Sequence, residues 1–185
     1  MKTAIATLKS CSPYSQSSYH KTPALEKETK ADYEARTWRN KCNLTEDDFV
    51  YIPPMAFKNC ISETAKYLSM QVPGKGKATY TKYFESGVLV TEPLVLPIKK
   101  DDVKGEWLFV PSSGRRGDGS RVEKCFPIIH EWRGQVSFLV LEDAITEKVF
   151  AQHLDQAGKF IGIGRFRPRN NGFYGRFIVE SVDWS

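Results

Sequence analysis

The stretch GQVSFLVLEDAITEKVFAQHLDQAGKFIGIGRFRPRNNGFYGRFIVESVDW, residues 134–184, decides the fold. It opens on an almost continuous apolar run that reads as a strand at 136–142. AITEKVFAQHLDQAGKF follows, with Val149, Phe150, His153, Leu154 and Ala157 on one face of a helix near 146–158. Thr146 or Asp143 can cap the start of this helix and Gly158 can end it. FYGRFIVESVDW reads as a closing strand at 173–181. Between helix and strand lies GIGRFRPRNNGFYGRF, residues 162–177, with four arginines, four aromatic rings, four glycines and no acidic residue.

Working outward, TAIATLKS gives a first strand at 3–9, and FVYIPPMAFKNCISETAKYL gives a short strand end, a Pro-Pro turn and a helix near 54–68. Phe57, Cys60, Ile61, Thr64 and Leu68 recur along that helix at three and four, and Pro54 suits its first turn, where no backbone N–H is needed. VLVTEPLVLP holds two strand-like runs divided by Pro93. EWLFVPSSGRRGDGSRVEKCFPII reads as two strands joined by a Gly/Ser/Arg tip that carries Arg115, Arg116 and Arg121. The order is strand, helix, strands, then strand, helix, strand. Two β-α-β halves with helices on one face of an antiparallel sheet make an α+β, ferredoxin-like (βαββαβ) core. Residues 1–185 then form one domain, with irregular insertions at about 11–48 and 70–130.

A chain of 185 residues with 41% hydrophobic content can bury a full core, and a formal net charge of +5 leans toward a polyanionic partner. Cys11, Cys42, Cys60 and Cys125 are scattered without CxxC pairing, and His20, His130 and His153 keep no ligand spacing with them. A zinc or other metal site is not expected. The start, MKTAIATLKS, lacks the long apolar stretch of a signal peptide, and no run approaches the length that spans a bilayer. The expectation is a cytoplasmic protein with reduced thiols and no membrane contact. NLT at 43–45 and RGD at 116–118 are short enough to arise by chance. GIGRFR lacks the third glycine of GxGxxG, and VPGKGKAT lacks the phosphate-loop spacing, so neither NAD nor ATP is indicated and no cofactor is expected.

Gly162, Gly164, Gly172 and Gly175 remove side chains that would hold a ligand away from the backbone. Arg165, Arg167, Arg169 and Arg176 supply planar charged forks for phosphate oxygens, while Phe166, Phe173 and Tyr174 offer faces to unpaired bases. A plainer reading has the glycines only shaping a loop, the rings alternating into the last strand, and the arginines pairing with distant acids. The lack of any acid within the segment favours nucleic-acid contact for the arginines. Lys75 and Lys77 interleave with Tyr80 and Tyr83, and Arg115 and Arg116 project as a finger from the hairpin tip. Solvated loops explain these two patches almost as well. Trp38, in EARTWRNK, reads as an anchor for the first insertion.

LDQAGKFIGIGRFRPRNNGFYGRF resembles the glycine-rich loop of the RAMP superfamily, the ferredoxin-like RNA-binding proteins of CRISPR systems. PALEKETKADYEARTWRNKC followed by VYIPPMAFKNCISETAKYL resembles the backbone subunits of that superfamily, with a basic residue near the start of the first helix, here Lys58. The sequence departs from that pattern at Pro54-Met55, where a small Gly-Ser turn is usual. The resemblance implies binding of single-stranded RNA or DNA through Arg165, Arg167, Arg169, Arg176, Phe166, Tyr174, Gly162 and Gly164, and self-association or contact with other RAMP subunits along a guide strand. A mobile-element relative that binds single strands, or interferes with such assemblies through protein contacts, fits the same pattern. Some relatives cut RNA without a metal, which makes His20 and Asp32 the candidates for a ribonuclease site. A lone histidine in a polar insertion is more often solvated, so binding without catalysis is the expectation.

Overall fold

The computed structural model describes every residue except Arg115, Arg116 and Asp118. Its strands and helices, in chain order, are β1 (Lys2–Ser10), β2 (Tyr14–Ser15), α1 (Lys30–Thr37), β3 (Phe49–Ile52), α2 (Pro54–Leu68), α3 (Thr81–Gly87), β4 (Val88–Val90), β5 (Leu94–Lys99), β6 (Lys104–Pro111), β7 (Arg121–Ile129), β8 (Arg133–Val140), α4 (Glu147–Gln156) and β9 (Phe177–Trp184).

The main sheet has the order β4-β8-β1-β9, with all neighbours antiparallel. Read along the chain, β1, α2, β4, β8, α4 and β9 form the βαββαβ ferredoxin-like arrangement that the two-half pattern predicts. Ala4, Ala6 and Leu8 of β1 alternate inward, as the two-residue period of a strand requires, and meet Phe57 and Ile61 of α2 and Phe150 and Leu154 of α4 in one core. Pro53 and Pro54 start α2 because neither needs a donor there, and Ser69 ends it in the left-handed region at φ +49°. Thr146 starts α4, its hydroxyl accepting the N–H of Val149 at 3.4 Å.

Three boundaries differ from the sequence expectation. Gly158 does not end the second helix: the chain continues as a wider turn, Ala157–Ile161, and stops at Gly162, whose φ is +70°. Gly158 serves helix–strand contact instead, since a Cβ there would lie 2.1 Å from the carbonyl oxygen of Phe177. The closing strand starts at Phe177 rather than 173, because Gly175 and Arg176 bond to the segment after β1 instead of to the ladder. The strand expected at 136–142 runs Arg133–Val140, set by pairing of Lys2 with Val140 and Lys9 with Arg133.

The first insertion is not outside the core. Tyr14, Trp38 and Cys42 are buried within it, and β2 pairs with β7 in a second sheet of order β2-β7-β6. Trp38 is the anchor expected of it, with Arg39 stacked 4.2 Å over its ring. Within residues 70–130, Val88–Val90 supplies an edge strand of the main sheet, β5 pairs back to β3, and β6 with β7 form the expected hairpin. No described helix is long and apolar enough to cross a membrane.

Candidate nucleic-acid interface

The glycine-rich segment is a loop folded against the chain that leaves β1. Arg165 N–H donates to the Ser15 carbonyl at 2.7 Å, Gly175 N–H to Pro13 at 2.8 Å, and Ile163 N–H to Gly175 at 3.0 Å. These contacts explain the glycines. A Cβ on Gly164 would lie 2.3 Å from the Ser15 carbonyl oxygen, and one on Gly175 would lie 1.8 Å from that of Ile163. Both positions have φ of +79°. The glycines therefore let the loop close on itself and on β2, where the sequence suggested room for a ligand. Gly175→Ala is expected to lower stability by about 2–4 kcal/mol in urea denaturation, from left-handed strain plus overlap. Phe166 also sits at positive φ, +53°, an uncommon conformation for a bulky side chain, and its ring is half exposed.

The arginines do not behave alike. Arg165 is a clamp: its guanidinium lies 3.8 Å over Phe126 of β7, its Nε donates to Ser15 Oγ at 3.1 Å, and Glu106 of β6 stands 3.9 Å away. Burial pushes this guanidinium down from its ordinary pKa, against the opposing pull of Tyr174 and Glu106. Tyr174 donates its hydroxyl to Glu106, and burial together with that bond pushes its pKa up to about 12. Arg167 and Arg169 share Glu63 on α2, at 2.8 and 3.1 Å. The acid missing from the segment is supplied from more than a hundred residues earlier in the chain, so the inference drawn from its local absence does not hold for these two. The Arg176 side chain donates to the carbonyls of Lys159 and Phe173, both at 3.3 Å. Phe173 is exposed beside it.

A groove of about 490 Å³ opens between this loop, residues 14–18 and the start of α2. Arg165 and Arg167 line one side, Gln16, Asn43 and Asn59 contribute amides, and Tyr14, Ile163 and Ala56 supply apolar surface. No side chain caps the start of α2 and no acid lies in its first turn, so the positive end of the helix meets the groove without a carboxylate. Gln16 is only 3% exposed; its Oε1 accepts from Asn43 Nδ2 at 2.6 Å, and the side chain lies beside the Cys42 thiol. Gln16, Asn43 and Asn59 were not among the expected site residues, and Asn43 carries only the chance NLT match.

The remaining candidates lie apart from the groove lining. Lys58 donates to Ser62 Oγ at 2.8 Å and to the Glu85 carbonyl at 2.6 Å, tying α2 to the end of α3. Lys75 lies 5.4 Å from the Tyr83 ring and, like Lys77, is exposed on the loop before α3. Asp32 accepts the Thr29 hydroxyl at 2.6 Å at the start of α1, and His20 Nδ1 is 3.0 Å from Thr22 Oγ1. Both are thus engaged in local structure. Arg115 and Arg116 lie outside the described residues.

This combination of a four-stranded antiparallel sheet, two helices on one face and a loop between the last helix and last strand is a ferredoxin-like fold. No family model and no curated protein matches the chain. Among solved structures, a chain of the Type III-B Cmr-beta bound to cognate target RNA aligns with 99% of this chain, with a TM-score of 0.56 and 10% identity. This chain spans 60% of that neighbour's length. Cmr6 from Pyrococcus furiosus aligns with 97% of this chain and 99% of its own, with a TM-score of 0.50 and 15% identity.

Proposed function

We propose that this chain binds single-stranded nucleic acid, RNA in particular, as a RAMP-type subunit, with the 162–176 loop and its groove as the contact surface. One observation carries the reading: the uncapped start of α2, the amides of Asn43 and Asn59 and the arginines Arg165 and Arg167 border one groove. Such an excess of donors suits the acceptor oxygens of phosphates and bases. Arg176 and the exposed rings of Phe166 and Phe173 repeat the same chemistry elsewhere on the loop. RNA is the partner named for the Cmr-beta neighbour, and the reading carries it to this chain.

A lone groove reaches few phosphates, so the chain acts as a backbone-like subunit whose copies, or other RAMP subunits, sit side by side along one strand. The test is fluorescence anisotropy with labelled single-stranded RNA, single-stranded DNA and duplex RNA of one sequence. Single-stranded RNA should bind most tightly and lose affinity steeply with salt. No binding to any single strand at low salt overturns the reading. Glu63→Gln frees Arg167 and Arg169 from their acid and should tighten binding by up to about fivefold, the equivalent of one exposed ion pair that no longer has to be broken.

A further inference from the structure

Tyr67, near the end of α2, and Phe160, in the turn after α4, come from opposite halves of the fold and meet on the surface. Their ring centroids lie 6.0 Å apart at an interplanar angle of 30°. Each is about half exposed, 49% for Tyr67 and 48% for Phe160, so the core does not consume either ring. The pair adjoins the basic loop on two sides. Arg169 holds its guanidinium 5.9 Å from the Tyr67 ring while bonding Glu63, one helical turn earlier on α2. On the other side Arg176 donates to the carbonyl of Lys159, the residue before Phe160.

We infer that Tyr67 and Phe160 form a stacking shelf for an unpaired base of a strand that continues past the groove, an inference that rests on the single-strand reading above. The composition of the surroundings favours a base over a protein partner. Among the exposed large apolar side chains on or beside the loop, Tyr67, Phe160, Phe166 and Phe173 are rings, against the two aliphatics Met55 at the groove and Ile178 at the start of β9. Exposed aliphatics such as Ile5 and Leu89 lie further off, on the strands of the main sheet. Rings interleaved with arginines give the chemistry of single-strand stacking, where every base offers a face and affinity depends little on sequence. Lys66 and Lys159 flank the rings but are paired with Glu85 and Asp155, so the shelf contributes through its faces more than its charge.

The experiment measures binding of labelled oligouridylates from about 4 to about 20 nucleotides by anisotropy, for the wild type and for Tyr67→Ala/Phe160→Ala. Long oligonucleotides should bind the double variant about 10- to 100-fold more weakly with an unchanged salt slope, because stacking releases no counterions, while the shortest ones bind as to the wild type. Tyr67→Phe/Phe160→Tyr keeps both rings and should retain wild-type affinity at every length. Wild-type affinity of the alanine variant at all lengths overturns the shelf while leaving the loop reading intact. So does a loss of self-association, seen by sedimentation, with RNA affinity unchanged, since that outcome makes the pair a protein contact. A wild type that binds no oligonucleotide overturns both readings.

Discussion

Replacing Arg167, Arg169 and Arg176 together by glutamine is expected to flatten the salt dependence of single-strand binding by about 2 log units per decade of salt. Each phosphate neutralised on a single strand contributes about 0.7 to that slope, so three contacts amount to roughly a hundredfold in affinity near 0.1 M salt. Arg165 is left out on physical grounds. Its guanidinium is packed on Phe126 and bonded to Ser15, so its removal would disturb the loop and the hairpin together. Of the other three, Arg169 is exposed, and Glu63 is the only carboxylate the described residues set against them. Anisotropy titrations at several salt concentrations measure the slope. An unchanged slope and unchanged affinity in the triple variant would remove the loop as the nucleic-acid site.

Glu34→Ala is expected to cost about 3–5 kcal/mol in urea denaturation, the scale set by a buried charge stripped of its partner. Glu34 is 2% exposed and accepts from Lys41 Nζ, from Lys124 Nζ at 2.9 Å and from the backbone N–H of Cys125 at 2.9 Å. Its loss leaves the Lys41 ammonium buried with the Cys125 carbonyl, 2.7 Å away, and the Phe126 ring but no counter-charge, and leaves an amide N–H empty. Burial acts to raise the carboxyl, but those hydrogen bonds outweigh it and hold its pKa below the ordinary value. A folded-state value below the unfolded one stabilises the protein above the ordinary glutamate range and loses that contribution as pH falls through the lowered value. Denaturation at pH 7 and near pH 3 should therefore converge between wild type and Glu34→Gln on acidification. The same network joins α1 and the turn after it to β7, which is how a stretch poor in aliphatics becomes part of the body of the fold.

The two halves of the fold were legible because their signals are local. The three-and-four spacing of Phe57, Ile61 and Leu68, the apolar run before α4 and the Pro53-Pro54 start each depend on neighbours a few residues away. The segment 11–48 reads only as an irregular insertion, yet it enters the core, for the opposite reason. Tyr14 and Trp38 are buried by strands far along the chain, and Glu34 is made tolerable inside by Lys124, ninety residues on. The closing strand was placed too early because Phe173 and Tyr174 have the composition of a strand, while the bonds from Gly175 to Pro13 and from Ser12 to Arg176 hold them in a loop.

Composition and order by themselves determined that a glycine- and arginine-rich segment sits between the last helix and the last strand, because both flanking elements announce themselves through local periodicity. Which arginines face outward, and why the glycines are needed, only the tertiary structure decided. Glu63 and Glu106 reach the loop across the fold, and the carbonyls of Ser15 and Ile163 come within contact of where a Cβ would stand. The meeting of Tyr67 with Phe160 belongs to the same class: the two rings are ninety-three positions apart, and only the packing of one βαβ half against the other sets them side by side. Charge pairing and ring stacking act through space over a few ångströms, a distance that sequence separation does not encode.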